Sequence, residues 1–262
     1  FGDYDADGIT SIALLKTTLR KMGIDAQHYL PHRIKDGYGL TKNIALLCRQ
    51  KKIKLLITAD CGIANHAQVK ELRRNNIEVI ITDHHELVSS EIPAASAILN
   101  PKLKNSGYPY RDLAGVGVAY KLAQALMGSL CLEDLDLVAL GTIADSAPLT
   151  GENRVIAKEG LLRLSKTNRL GLKVLIENAG IQNHKFSSTT VSFILGPRIN
   201  ASGRLDSAEV SLNLLLTESV EEAKGLAKAV ETHNRQRQKI ENKILEEAQD
   251  LINKEVNFKE HK

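Results

Sequence analysis

The chain has 262 residues, 43% hydrophobic and 25% charged, enough for one large or two modest cored domains. No stretch approaches the roughly 20 consecutive apolar residues that a bilayer span needs, and Cys48, Cys61 and Cys131, widely spaced and without a CxxC pair, exclude both a disulfide framework and a zinc ribbon. A net charge of +4 permits a polyanionic partner without demanding one, while the absence of Trp and an aromatic content of 4% argue against extensive base-stacking platforms. The expectation is a protein of the reducing cytoplasm with no membrane contact. The chain starts at Phe1, inside what reads as a strand end, and is therefore expected to be a piece of a longer protein.

Gly2-Asp-Tyr-Asp-Ala-Asp-Gly8 leads into Ile9 to Met22, where Ile12, Leu15, Leu19 and Met22 recur at helical spacing. Asp5 and Asp7 can converge on a hard cation, which prefers oxygen ligands. A calcium loop is discounted because Leu14 stands where such a loop needs its last acid. Asp25 to Leu30 reads as a strand, Pro31 to Leu40 as a loop in which Arg33 and Lys35 can meet phosphates, and Thr41 as the cap of a helix over Ile44 to Arg49. Ile53 to Thr58 is a buried-strand pattern ending in Ala59-Asp60-Cys61-Gly62, followed by a helix from about Ala64 to Asn75. Ile77 to Ile81 repeats the pattern and delivers Asp83-His84-His85, and Ala97 to Asn100 forms the next strand. Strands alternating with helices imply a parallel sheet, and ligands bind at the carboxyl ends of such strands.

Leu113 to Lys121 is a glycine-containing lead into a helix, with close packing the expected role of Gly115 and Gly117. Leu132 to Ala144 is apolar at helical spacing and puts Asp145 at a helix C-terminus, which the helix dipole disfavours unless a cation is present. From Gly151 the pattern changes to short amphipathic helices, Val155 to Leu164, Leu170 to Asn178 and Ser188 to Leu195. Gly196 to Leu205 then reads as a polar, turn-rich insertion whose Arg198, Asn200, Ser202 and Arg204 suit phosphate contacts. Ser219 caps a long helix with one apolar stripe at Val220, Ala223, Ala227 and Val230 and another at Ile240, Ile244, Ala248 and Leu251; the basic Arg235 to Lys239 between them reads chiefly as a solvated face. The fold class is therefore α/β: a parallel-sheet domain over 1–150 with helices on both faces, a helical subdomain over 151–218, and a long connecting helix over 219–262.

Asp5, Asp7, Asp60, His84 and Asp145 supply four carboxylates and an imidazole from element ends that can meet in one crevice. Such a set suits two Mn²⁺ or Mg²⁺ ions about 3.5–4 Å apart, with the imidazole favouring Mn²⁺. His85 is left to hydrogen-bond a phosphate or assist a leaving group.

Five stretches now carry a resemblance: Gly2 to Gly8, Thr58 to Ile63, Thr82-Asp-His-His-Glu86, Leu140 to Asp145 with Pro148, and Gly196 to Arg204. Together they resemble the DHH phosphoesterase superfamily, and within it the RecJ-type single-strand-specific exonucleases. The resemblance implies 5′-to-3′ degradation of single-stranded DNA to mononucleotides in recombination and repair, by a cytoplasmic monomer that works with a single-stranded-DNA-binding protein and a helicase. It assigns Asp7, Asp60, His84 and Asp145 to one Mn²⁺, and Asp5 with the shared Asp60 to the other. His85 and the segment from Arg198 to Arg204 would approach the DNA backbone. Some superfamily relatives carry a histidine four residues before the acid matching Asp5; Phe1 stands there in this chain, with Asp3 as the nearest compensating acid. The family's second core domain and its oligonucleotide-binding fold lie outside this sequence, so the piece is expected to bind metal and to hydrolyse DNA poorly alone. The alternatives are a DHH-type phosphodiesterase of short oligonucleotides, cyclic dinucleotides or pyrophosphate, and a non-catalytic replication scaffold.

Overall fold

Three short parallel strands carry the site. In the computed structural model, which describes residues 1–87, 91–181 and 186–255 (for Glu255, the backbone alone), β1 (Leu55–Ala59), β2 (Glu78–Thr82) and β3 (Ala97–Leu99) pair in the order β1-β2-β3. Gly2 bridges to Ala59 in parallel and extends the sheet beyond β1. The register aligns Ala59 with Thr82 and Thr82 with Leu99, so the strands finish level. The first residue past each end donates its N–H to the last carbonyl of the next strand: Asp3 to Ala59 at 3.3 Å, Asp60 to Thr82 at 2.9 Å, and Asp83 to Leu99 at 3.0 Å. Three acids thus stand in a row along the carboxyl edge.

Because side chains alternate across a strand, β1 serves two cores. Leu56 joins Val79 and Ile81 of β2 in a core with Ile44, Ala45 and Cys48 of α2 (Ile44–Gln50) and Val69 and Leu72 of α3 (His66–Arg74). Ala59, with Ile57 packed against it, faces the larger core built on α1 (Ala6–Lys21), α4 (Gly115–Met127) and α5 (Leu135–Ala144). Helices therefore cover both faces of the sheet, as the patterning predicts. The expected strand over Asp25 to Leu30 does not form; that segment is irregular and gives the sheet a single hydrogen bond, from Gly2 N–H to the Tyr29 carbonyl at 3.1 Å. Asn43 rather than Thr41 precedes α2, and its side chain makes no capping bond.

The larger core continues through α6 (Gly151–Leu164), α7 (Leu170–Asn178), α10 (Glu209–Leu216) and the first half of α11 (Val220–Glu255), where Ala223, Ala227 and Val230 are buried. Ser219 caps α11 as expected, its Oγ accepting the Glu222 N–H at 3.3 Å. Farther along, Ile240, Ile244 and Leu251 are exposed. The last seven residues expected in this helical unit, 256–262, lie outside the described residues. No described helix is long and apolar enough to cross a membrane.

One expectation is overturned here. Gly196 to Leu205 is not a turn-rich insertion but helix α9 (Gly196–Leu205), continuous with α8 (Ser188–Thr190) through a π-helical turn at Val191–Leu195. Pro197 sits in the first turn of α9, where its missing N–H is tolerated, and the widened turn directly precedes it.

Candidate metal centre

The acidic turn after Gly2 is wound tightly enough that a Cβ on Gly8 would lie 2.5 Å from the Asp3 carbonyl oxygen. Asp5 caps α1, its Oδ1 accepting the Gly8 N–H at 3.0 Å, and Asp7 occupies the first turn, so both acids sit at the positive end of the helix dipole. Asp7 also meets the N-terminus of α4, its two oxygens accepting the N–H groups of Gly115 and Val116 at 2.7 Å each. The anion received by that glycine-containing lead is therefore a side chain of the chain itself. Gly115 has a second reason to lack a side chain: its Cβ would meet Asp60 Oδ1 at 2.4 Å.

Asp60 adopts φ +64°, the left-handed region that non-glycine residues seldom occupy, and its carboxylate turns into the cluster. Its buried Oδ1 has no hydrogen-bond partner, nor has the buried Asp3 Oδ1, among the described residues. Burial, then Asp7 and the other acids, push the Asp60 carboxyl well above the ordinary range; burial, Asp145 and Asp5 do the same to Asp7 despite its two backbone donors. Burial and Asp5 raise Asp145, the C-cap of α5, to about 6 and Asp3 to about 7. Carboxylates crowded in this way, with orphaned oxygens, favour a cation. His84 completes the set. Burial and the neighbouring His85 hold its pKa down to about 4, so the ring is neutral. Its Nε2 lies 3.1 Å from Asp60 Oδ1 and 3.8 Å from Asp7 Oδ2. Three groups offer ligand atoms lying within 4.8 Å of one another: Asp7–His84–Asp145, Asp3–Asp5–Asp60 and Asp60–His84–His85. The carboxylates and imidazole present fit divalent cations, and Asp60 belongs to two of the three groups.

His85 is positioned by residues that pattern reading passes over. Asp83 is fully buried; its Oδ1 accepts from the backbone N–H groups of His84 and His85 and lies 2.7 Å from His85 Nδ1, while Oδ2 accepts from Ile63 N–H at 2.8 Å. Burial alone would raise the Asp83 pKa, but the bonds and charge from His85 and Ile63 outweigh it and hold it below the usual value. The same bond raises the pKa of His85. Tyr38 Oη stands 3.0 Å from His85 Nδ1, and Asn100 donates to the His85 carbonyl at 2.9 Å. With Nδ1 committed to Asp83, Nε2 is the nitrogen left for a ligand. No periodicity marks Tyr38 or Asn100; Asp83 stands in the Thr82-Asp-His-His-Glu86 motif and, like Asn100, follows a strand.

The sequence profile of the DHH family, N-terminal domain, matches residues 1–142. The chain belongs to the DHH family. It is 45% identical over 252 residues to the single-stranded-DNA-specific exonuclease RecJ of Bacillus subtilis, covering 96% of this chain and 32% of that protein. Among solved structures, exonuclease RecJ bound to manganese superposes with a TM-score of 0.86 at 39% identity, over 94% of this chain and 63% of the other. RecJ of Thermus thermophilus in complex with Mn²⁺ gives 0.82 at 37%, over 94% and 36%. The chain thus spans about a third of the length of the Bacillus relative.

In this DHH chain the residues expected in the site do not all reach it. A cleft of about 370 Å³ beside the acids is lined by Asp3, Tyr4, Asp5, Arg33, Tyr38, His85, Asp145, Asn200 and Arg204. Lys35 is absent from that lining. Asn200 Oδ1 accepts the Ala6 N–H at 2.6 Å, tying α9 to the start of α1, and Arg204 has no ion pair among the described residues. Arg198 and Ser202 are elsewhere, contrary to expectation. The Arg198 guanidinium is held by Glu231 at 2.8 Å and the Ile194 carbonyl, and Ser202 is buried with its Oγ on Ser211 and the Ile199 carbonyl. The physical reason is the helix: residues 198 and 202 share one face and 200 and 204 another, because side chains four apart align. Phe1, at the position left without a histidine, is buried against Tyr29 with its ring stacked at 5.2 Å, and the buried Asp3 groups with Asp5 and Asp60.

Proposed function

We propose that this chain is the metal-binding part of an enzyme that hydrolyses phosphodiester bonds of single-stranded DNA from the 5′ end and releases mononucleotides. One observation carries the reading: five groups from four remote segments, Asp5, Asp7, Asp60, His84 and Asp145, converge at the carboxyl edge of a parallel sheet, around a buried Asp60 Oδ1 that has no hydrogen-bond partner among the described residues. Asp7, His84 and Asp145 would hold one Mn²⁺ or Mg²⁺, Asp3 and Asp5 the other, with Asp60 shared. Bound there, such ions supply a water of lowered pKa and neutralise charge at phosphorus. The chain's own residues do the rest. Asp83 and Tyr38 hold the His85 ring at the cleft, where it would donate to a phosphate oxygen or to the leaving group. Arg204, without an ion-pair partner among the described residues, and Arg33 provide positive charge on the cleft walls, where a strand's phosphates would lie. Retention of all five ligands in one place supports an enzyme over a non-catalytic scaffold. Substrate, polarity, cytoplasmic location, monomeric state and work alongside a single-stranded-DNA-binding protein and a helicase come from the likeness to RecJ and belong to the same proposal. So does the division into a metal-binding unit over 1–150, a helical unit over 151–218 and a linking helix from 219.

The test is Asp60→Asn in the complete protein, assayed for mononucleotide release from long single strands, dinucleotides and pyrophosphate with Mn²⁺. Loss of at least 100-fold on long strands is expected; undiminished turnover defeats the metal assignment, and a preference for dinucleotides or pyrophosphate redirects the substrate assignment.

A further inference from the structure

Beyond the cleft lies a second, smaller cavity of about 180 Å³, walled by Ala144, Ser192, Gly196, Pro197, Asn200, Arg204 and Arg237. Ala144, Asn200 and Arg204 belong to both, so the two cavities adjoin. The floor of the smaller depends on close approach: a Cβ on Gly196 would lie 3.0 Å from the Ala144 Cβ. The π-helical turn at Val191–Leu195 lies alongside it and presents Ser192, whose hydroxyl makes only a long bond of 3.4 Å to the Ile143 carbonyl.

Arg237, on α11, lines the second cavity and not the cleft. It is the one residue of the basic Arg235 to Lys239 stretch that does so; Arg235 is 73% exposed and paired with Glu231. Arg237 is held, at 20% exposure, by Glu241 at 2.6 Å and by Asn234 Oδ1 at 3.2 Å from Nη2 and 3.4 Å from Nε. Those bonds use three of its five N–H groups. The guanidinium is thus pre-oriented, with donors to spare, at a cavity whose lining already includes Arg204, which has no ion pair among the described residues.

Resting on the nuclease reading above, we propose that Arg237, with Arg204 and Ser192, binds an internal phosphodiester of the substrate strand other than the one being cut. The ligand class is a nucleic-acid phosphate, recognised without regard to base. Arg237 makes the enzyme prefer strands long enough to reach it.

The experiment uses the complete protein and single-stranded oligonucleotides of two and twelve nucleotides, dT and dA, each with and without a 5′-phosphate. Kd is measured by fluorescence anisotropy across a salt series for wild type, R237Q, R237K and R235Q. R237Q is expected to weaken the twelve-mers by about 3- to 10-fold, equally for dT and dA and with or without the 5′-phosphate, and to shallow the salt slope by about one. R237K is expected to recover part of the affinity, and R235Q to match wild type. Unchanged affinity and slope in R237Q, or an effect as large in R235Q, overturns the proposal. An effect confined to 5′-phosphorylated strands overturns the internal-phosphate assignment in favour of a terminal one. A wild type that neither binds nor cuts single strands defeats the nuclease reading too, whereas an active wild type with an unaltered R237Q defeats this inference alone.

Discussion

At the scale of single residues, Asp83 separates what a motif contains from what it does. It stands between two candidate functional groups yet offers no oxygen to a metal, because both are spent on N–H donors and on His85. Asp83→Ala should leave the Ile63, His84 and His85 N–H groups without partners in a buried site, costing about 3 kcal/mol in urea denaturation, and should let the His85 pKa fall towards the ordinary value, visible in a titration of its ring protons by NMR. A His85 titration unmoved by the change would mean that the ring is held by something else. Because the Asp83 pKa is depressed in the folded state, its contribution to stability is present above the unfolded value of 3.8 and is lost as pH falls through the folded one. The residues expected to meet phosphates show the limit of reading a sequence at this scale. Arg198, Asn200, Ser202 and Arg204 look equivalent as letters, and only the helical backbone sorts them, Asn200 and Arg204 to the cleft and the other two into packing.

At the scale of elements, the strand-end acids were legible because a β-branched run that stops abruptly at an acid marks the place where a buried strand meets solvent or a ligand. Asp60, His84 and Asp145 could be placed at element ends from apolar periodicity alone. Helix α9 was not legible: Gly, Pro, Asn and Ser in one short stretch carry turn propensity, and tertiary packing overrides it. Gly203 shows how, since a Cβ there would meet the Tyr4 carbonyl at 2.3 Å, so the helix is pressed against the acidic turn. Gly115 is the corresponding contact on the other side of the cluster. Gly115→Ala, normally worth up to about 1 kcal/mol in a helix's favour, should here displace Asp60 and weaken Mn²⁺ binding at least 10-fold by isothermal titration calorimetry; an unaffected affinity would show that Asp60 can yield without cost. Away from the site, Arg169 in the approach to α7 bonds Asp134 at 2.5 Å and Asp136 at 3.2 Å, both carboxylates being buried where α5 begins. Arg169→Met should leave Asp134 to Lys21 alone and Asp136 to the Thr167 hydroxyl and the Leu137 N–H, and cost about 1–3 kcal/mol, read as a lower midpoint in thermal or urea unfolding with metal binding retained.

For the whole molecule, the raised carboxyls couple protons, cations and stability. From the unfolded value of 3.8 up to about 6 for Asp145 and about 7 for Asp3, the metal-free folded chain holds more protons than the unfolded chain, so its stability falls as pH rises through that window. A divalent ion must displace those protons and reverses the trend. The rise in unfolding temperature caused by Mn²⁺ should therefore be small at pH 5 and several-fold larger at pH 8, measured by scanning calorimetry; equal rises at both would exclude these carboxylates as ligands.

The level finish of the strands has a consequence for how the protein is made. Asp3, Asp60 and Asp83 are aligned by hydrogen bonds between neighbouring strands, and Asp145 arrives only with the end of α5. A ribosome must therefore release more than half of this stretch before these side chains can all be brought together. A half-synthesised chain carries Asp3, Asp60 and Asp83 but not yet Asp145, and whatever the finished edge binds is withheld until the layers have closed.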